Sequence, residues 1–243
     1  MAVDSALHEA ANVTRVAPLV DHLRELRRRV LICTVAVAIG GVAAFALSDQ
    51  LIELLRQPLG STKLYFTGVG DAFGIRMQMS IVGGIVSAMP IILWQVWAFV
   101  SPGLTNSERR SARPWLPLAL GLFITGAAVA WSVLPFAVGF LLGFASDDLQ
   151  PMIAADRYFG FVSGVVLLFA IAAEYPILLV FLSRVGVVTS AKLRSWRRTA
   201  IVGIVIISAV ATPGTDIVSP LVLAATMLLL YEFSIVLVRA GGR

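Results

Sequence analysis

Three carboxylates in this chain sit where a carboxylate needs an explanation. Glu174 lies near the middle of Tyr158–Ser183, a run of 26 residues with no other charge. Glu25 stands among four arginines in HLRELRRR (His22–Arg29), and Glu108 stands beside Arg109, Arg110 and Arg113 in TNSERRSARP (Thr105–Pro114). An acid at the centre of a membrane helix costs about 2.5–3.5 kcal/mol, so it faces a partner or a wet cavity rather than lipid. Two roles fit Glu174 on residues alone: a protonated acid hydrogen-bonded for packing, or a polar docking point inside the membrane. Two roles also fit Glu25 and Glu108. On a helix Glu25 faces Arg28 and Arg29 at i+3 and i+4, a pairing of about 0.2–0.5 kcal/mol, so both acids can simply moderate a basic surface. Alternatively, two isolated carboxylates on a positive face select a cationic ligand with charges at fixed spacing. A guanidinium suits that role because its fork engages a carboxylate through two parallel hydrogen bonds.

Other chemistry is sparse. The two histidines, His8 and His22, both precede the first apolar run, so no imidazole base is available within a bundle for Ser–His hydrolysis. No HExxH, Cys/His cluster or GxxxxGK[ST] loop is present. The glycine-rich GVGDAFG (Gly68–Gly74) has no preceding strand pattern and is discounted as a nucleotide site. The single cysteine, Cys33, excludes an intrachain disulfide and lies in an apolar run, where a redox role is not expected. The chain is expected to be no enzyme and to need no metal or cofactor.

The elements that must hold these acids are membrane helices. Hydrophobic residues make up 58% of the 243 and charged residues only 14%, against roughly 25% charge in a soluble domain. No linker composition divides the chain, so one all-α polytopic domain over 1–243 is expected. The first 29 residues lack an apolar core, so they are read as a cytoplasmic segment rather than a cleaved signal. Spans are expected at about 30–47, 77–100, 115–144, 158–183, 199–211 and 217–238. The fifth and sixth are short, and TPGTD (Thr212–Asp216) between them reads as a tight turn, two crossings being favoured over one re-entrant hairpin. Fifteen of the 19 Lys and Arg fall on one side of this arrangement, which places both termini in the cytoplasm. Pro90, Pro135, Pro176 and Pro220 fall inside spans and are expected to bend them, Pro176 at the position of Glu174.

These motifs resemble, in order, those of the TatC family, the signal-peptide receptor of the twin-arginine protein translocase. HLRELRRR resembles its N-terminal signature, and Pro58–Asp71 its first outer loop. Pro90–Arg110 (PIILWQVWAFVSPGLTNSERR) resembles its second helix and first cytoplasmic loop, and Leu134–Phe144 the end of its third helix. Ala173–Thr189 (AEYPILLVFLSRVGVVT) is similar to its fourth helix, with Ala173 where the family commonly has an aromatic. ATPGTDIVSP (Ala211–Pro220) and LLYEFSIVL (Leu229–Leu237) match its last turn and helix.

The resemblance implies a receptor in the plasma membrane that binds Arg-Arg signal peptides of folded precursors. It would work with TatB-like and TatA-like single-span subunits, in a homo- or hetero-oligomer, under the proton-motive force. Membrane lipid, and no nucleic acid, completes the implied partners. Carried onto this chain, Glu25 and Glu108 would contact the arginine pair, with Phe99, Leu104 and Arg110 shaping the site. Glu174 would be the intramembrane docking point, the short last two spans would contact partner helices, and Pro58, Asp71 and Asp216 would support an outer cap. The rival reading is a small proton-coupled transporter using Glu174 and Glu232.

Overall fold

The computed structural model describes residues 2–101, 115–145, 151–184, 186–212 and 216–240, with side chains described from His22 to Arg239. The first helix, α1 (Ala2–Ala46), carries the charge-free run from Val30 onward and ends one residue before the expected boundary. A short amphipathic helix, α2 (Ser48–Arg56), and a 3-10 turn holding Pro58 (Gln57–Leu59) follow at once. Then come β1 (Leu64–Tyr65), α3 (Asp71–Val100), α4 (Trp115–Leu142), β2 (Ile153–Ala154) and α5 (Ala155–Ala172). The last elements are α6 (Tyr175–Arg184), α7 (Ser190–Ser195), α8 (Arg197–Ala211) and α9 (Val218–Ala240).

Among the described residues five helical stretches are long and apolar enough to cross a membrane: His22–Ala46, Asp71–Val100, Trp115–Leu142, Ala155–Arg184 and Val218–Arg239. The chain is thus an all-α, multi-pass membrane protein. The segment expected as the fifth span is helical, as α8, but its 15 residues reach only about 22 Å and it is not one of these five.

Small residues set how closely the helices approach. Gly40, Gly41 and Ala44 on α1 face Ser80, Gly83 and Gly84 on α3. A Cβ on Gly84 would stand 2.6 Å from the Val37 carbonyl oxygen and 2.8 Å from the Gly41 nitrogen, so the two backbones touch. The Ser80 hydroxyl donates to the Gly41 carbonyl at 2.7 Å across this seam. Close approach of this kind is what holds helices together in lipid, where apolar burial gives little net drive. Gly126 plays the same part between α4 and α5, 2.5 Å from the Phe169 carbonyl oxygen by the same measure. Phe169, Val162, Leu134, Met79 and Leu223 form the fully buried centre, drawn from α5, α4, α3 and α9.

The outer loops are tied to each other and to the bundle. Leu64 and Tyr65 pair in parallel with Ile153 and Ala154, which joins the loop before α3 to the loop before α5. Arg76 donates to the Ser48 hydroxyl at 3.0 Å and to Asp49 at 2.6 Å, pinning α2 to α3. The Tyr158 hydroxyl donates to the Leu55 carbonyl at 2.9 Å.

Of the four prolines expected to bend spans, Pro176 alone coincides with a break in the helix assignment. α3 and α4 run through Pro90 and Pro135. Pro220 is the third residue of α9, where a missing N–H costs no intrahelical bond. At Pro176 the helix parts into α5 and α6 across Ala173 and Glu174. The Glu174 amide there bonds Ile171 three residues back, a tightened turn. α6 ends in a Schellman arrangement: Gly186 adopts φ +82°, its N–H donates to Ser183, and the Val187 N–H donates to Leu182.

Candidate functional site: a clamped carboxylate at one end and a partnerless one at mid-depth

Glu25 lies on α1 just before the apolar run. The charge beside it belongs to Arg29, one turn on. Arg29 donates to the Glu25 Oε1 oxygen from Nε at 3.0 Å and from Nη2 at 2.5 Å. The same guanidinium reaches α3, donating to the Gln95 side-chain oxygen at 3.1 Å and the Ala98 carbonyl at 3.0 Å. One arginine therefore fixes the acid's rotamer and fastens the ends of two helices together. Next to it the His22 and Phe99 rings stack at 4.4 Å. Glu25 keeps 35% of its side chain exposed while Arg29 keeps 20%, and no described residue donates to Glu25 Oε2. The arrangement is a partly exposed carboxylate with one oxygen held by arginine, beside a pair of stacked rings. It can accept a hydrogen bond from a cationic ligand, and a flat ring stands alongside to pack against that ligand's stem.

The structure brings Phe99 to Glu25 through this cluster. Glu108, Leu104 and Arg110 lie outside the described residues. The sequence offers Arg28 and Arg29 equally as partners of Glu25, and it does not single out Gln95 or His22 for this site. Gln95 did carry a signal, as the lone amide within LWQVW.

Glu174 is built differently. The α5–α6 break carries its side chain to a cavity of about 450 Å³ whose walls are almost wholly apolar. Leu93 and Trp97 of α3, Trp115 and Ala119 of α4, Tyr175 of α6 and Met227 of α9 line it. Arg184, also on the lining, is ten residues further along, about 15 Å of helix. Both Glu174 carboxylate oxygens are buried, and neither has a hydrogen-bond partner. A buried polar group without a partner forfeits its desolvation free energy, so a hydrogen-bonding group reaching this cavity would be favoured. Glu232 is not part of it. That carboxylate pairs with Arg197 at 2.5 Å, about half exposed, at the start of α8. The neighbouring Tyr231 hydroxyl donates to the Leu193 carbonyl at 2.6 Å.

The three outer residues act locally. Asp71 opens α3 and accepts from the amides of Thr67 and Gly68, both at 2.7 Å, which closes the loop before it. Asp216 accepts from the Ser219 amide at 2.6 Å at the start of α9. Pro58 sits half-buried in the 3-10 turn after α2. Among the described residues Asp71 ties the loop before α3, Asp216 holds the first turn of α9, and the two exchange no hydrogen bond.

Comparison with known proteins places this architecture. The family model for the Sec-independent protein translocase protein TatC matches residues 21–225. The TatC of Frankia casuarinae is 38% identical over 236 residues, covering 90% of this chain and 65% of that protein, so the chain spans slightly less than two thirds of that relative. The TatC of Carboxydothermus hydrogenoformans is 36% identical over 220 residues, covering 89% of this chain and 90% of that one. The crystal structure of the twin-arginine translocase receptor TatC superposes with a TM-score of 0.79 at 36% identity, covering 91% of this chain and all of the other. The match spans the clamp on α1 and α3, the broken α5–α6 stretch and the first turns of α9, and the chain belongs to the TatC family of Sec-independent protein translocase proteins.

Proposed function

We propose that this chain is the receptor subunit of a twin-arginine translocase, and that its cytoplasmic end recognises the paired arginines of precursor signal peptides. The observation that carries this reading is the Glu25 clamp. Arg29 holds one oxygen of the partly exposed carboxylate, next to the stacked Phe99 and His22 rings. Glu108 supplies the second carboxylate, with Leu104 and Arg110 from the same loop shaping the rest. Paired guanidinium groups require paired acceptors, and charge-assisted contacts of this kind are about twice as strong as neutral ones.

In the same reading Glu174 receives a polar side chain from a single-span partner subunit of the TatB or TatA kind, which would complete its missing hydrogen bonds. The chain forms one membrane domain that crosses six times, with α8 as the short fifth crossing and both termini in the cytoplasm. The local bilayer thins around α8, or neighbouring subunits cover it. Pro58, Asp71 and Asp216 stiffen the outer loops rather than touch ligand. Translocation draws on the proton-motive force and takes folded cargo.

Photocrosslinking tests the recognition step. A photoreactive residue placed at 25 or 108 in the membrane-embedded protein should capture a twin-arginine signal peptide and should fail with a twin-lysine version. Equal capture of both peptides would reject the site.

A further inference from the structure

The arginines of α1 are sorted between two faces, and only one face belongs to the Glu25 site. Arg29 turns inward to α3. Arg24, Arg27, Arg28, Leu31, Ile32 and Val35 line a separate shallow groove of about 590 Å³. Their spacing of i, i+3, i+4, i+7, i+8 and i+11 puts them on one stripe of the helix, with Arg29 turned about 100° from Arg28. Among the described residues no acid lines this groove, and neither Arg27 nor Arg28 has an ion-pair partner.

The groove is basic in its first half and apolar in its second. Leu31 is 54% and Val35 55% exposed, and both lie inside the charge-free run that begins at Val30. From Arg28 to Val35 the helix advances about 10 Å, which is the distance from a lipid phosphate level into the upper acyl chains. A soluble anion would use the arginines and leave the apolar half bare. An acidic polypeptide segment would have to place its own backbone in hydrocarbon beside Val35. A phospholipid fills both halves at once.

We propose that this groove is a binding site for an anionic phospholipid. Arg27 and Arg28 fork the headgroup phosphate, and one acyl chain runs along Leu31, Ile32 and Val35. Arginine suits the role because its planar fork matches phosphate in a bidentate geometry. Two adjacent cations at one level favour a net negative headgroup over a zwitterionic one. The site lies on the face of α1 adjoining the Arg29 clamp and does not depend on signal recognition.

The test reconstitutes the full chain in phosphatidylcholine vesicles with a small fraction of phosphatidylglycerol bearing a photoactivatable acyl chain. Labelled peptides are mapped by mass spectrometry. Label should concentrate on Leu31–Val35, roughly tenfold above that from phosphatidylcholine carrying the same group. Arg27→Gln with Arg28→Gln should bring the phosphatidylglycerol label down to the phosphatidylcholine level there, while labelling of α3 and α4 stays unchanged. Arg27→Lys with Arg28→Lys should keep an intermediate preference, since charge remains and the fork is lost. Equal labelling by both lipids in the unmodified protein overturns the proposal, and that comparison stands even where the Gln variant fails to insert. Competition by inorganic phosphate would instead assign a soluble anion site. Loss of the label on adding single-span subunits would assign the face to protein. Either result also overturns it.

Discussion

Glu25 and Glu174 are the same side chain on helices of similar character, and the fold treats them in opposite ways. Around Glu25 the chain supplies the counter-charge itself: one guanidinium makes four hydrogen bonds, two to the acid and two to α3. Around Glu174 it supplies none, although the carboxylate oxygens are buried among Leu93, Trp97 and Trp115. The first acid is pre-organised, so a ligand need not spend free energy ordering it. The second has buried oxygens without a hydrogen bond, a costly state in hydrocarbon that the proposed docking of a partner would relieve. A clamped acid at a watery edge confers specificity; an unclamped acid at mid-depth confers a demand for assembly. Each prediction below separates the two.

The largest effect is expected at the clamped end. Glu25→Ala and Glu108→Ala should each weaken twin-arginine peptide binding by about 1.5–3 kcal/mol, roughly tenfold to a hundredfold, and together should nearly abolish it. Assembly with a single-span partner through Glu174 should be untouched. Titration of a fluorescent signal peptide against correctly inserted protein reads this directly. An unaltered affinity in the double variant would dissolve the contrast between the two acids.

A backbone clash tests whether the clamp depends on the α1–α3 seam. At Gly84 the neighbouring atoms are backbone, the Val37 oxygen and the Gly41 nitrogen, and cannot rotate away. Gly84→Val should lower thermal stability in detergent by about 1–3 kcal/mol and weaken peptide binding along with it. Gly203→Ala, where nothing lies within 4 Å of the added methyl, should leave both intact. Loss of peptide binding without loss of stability would place the seam in the recognition site itself.

Next in size is the arginine of the clamp. Arg29→Lys keeps one charge but cannot bridge Glu25, Gln95 and Ala98 together, because an ammonium lacks the planar fork. Peptide affinity should fall by about 1–2 kcal/mol, roughly five- to thirtyfold. The affinity of Arg28→Lys should change far less, since Arg28 lines a different groove and makes no bond to Glu25 among the described residues. Equal losses in the two variants would mean that the basic surface acts as a diffuse field and not through a fixed acid.

Much of the frame behind this contrast was legible in the residues. The span end at Val100 coincides with the end of α3, where Ser-Pro-Gly follows. α3 begins six residues before the apolar run, at Asp71, whose carboxylate ties the preceding loop. Glu174 could be found from its isolation alone. Which arginine serves Glu25 could not, because i+3 and i+4 neighbours are equally near and only the position of α3 chooses between them. Nor could the pairing of Leu64 and Tyr65 with Ile153 and Ala154, which joins two-residue strands almost 90 positions apart. The proline signals overreached where position within the helix mattered, as at Pro220. The second carboxylate of the proposed pair, Glu108, lies outside the described residues, so the clamp is built from Glu25 alone.

The smallest effect is expected at Glu174, and it is the most discriminating. If the carboxyl is a docking point, Glu174→Gln should keep much of the export activity, because an amide still offers hydrogen-bonding groups to a partner's polar side chain. Glu174→Ala should insert, fold and bind signal peptide, yet assemble less well with the single-span subunit. Interhelical hydrogen bonds in membranes contribute only about 0.6–2 kcal/mol, so the loss should be partial and should deepen as the partner is diluted. A proton carrier behaves otherwise: an amide cannot titrate, and Gln would be as inactive as Ala. Glu232 gives the control for that reading. Its pairing with Arg197 at the edge of the bundle leaves it outside the cavity, so Glu232→Gln should barely change export. Export measured at matched membrane levels for the Gln and Ala variants of Glu174 decides between docking and titration. Equal and complete loss in both would show that the partnerless acid carries protons, and the two carboxylates would then differ in chemistry and not only in partner.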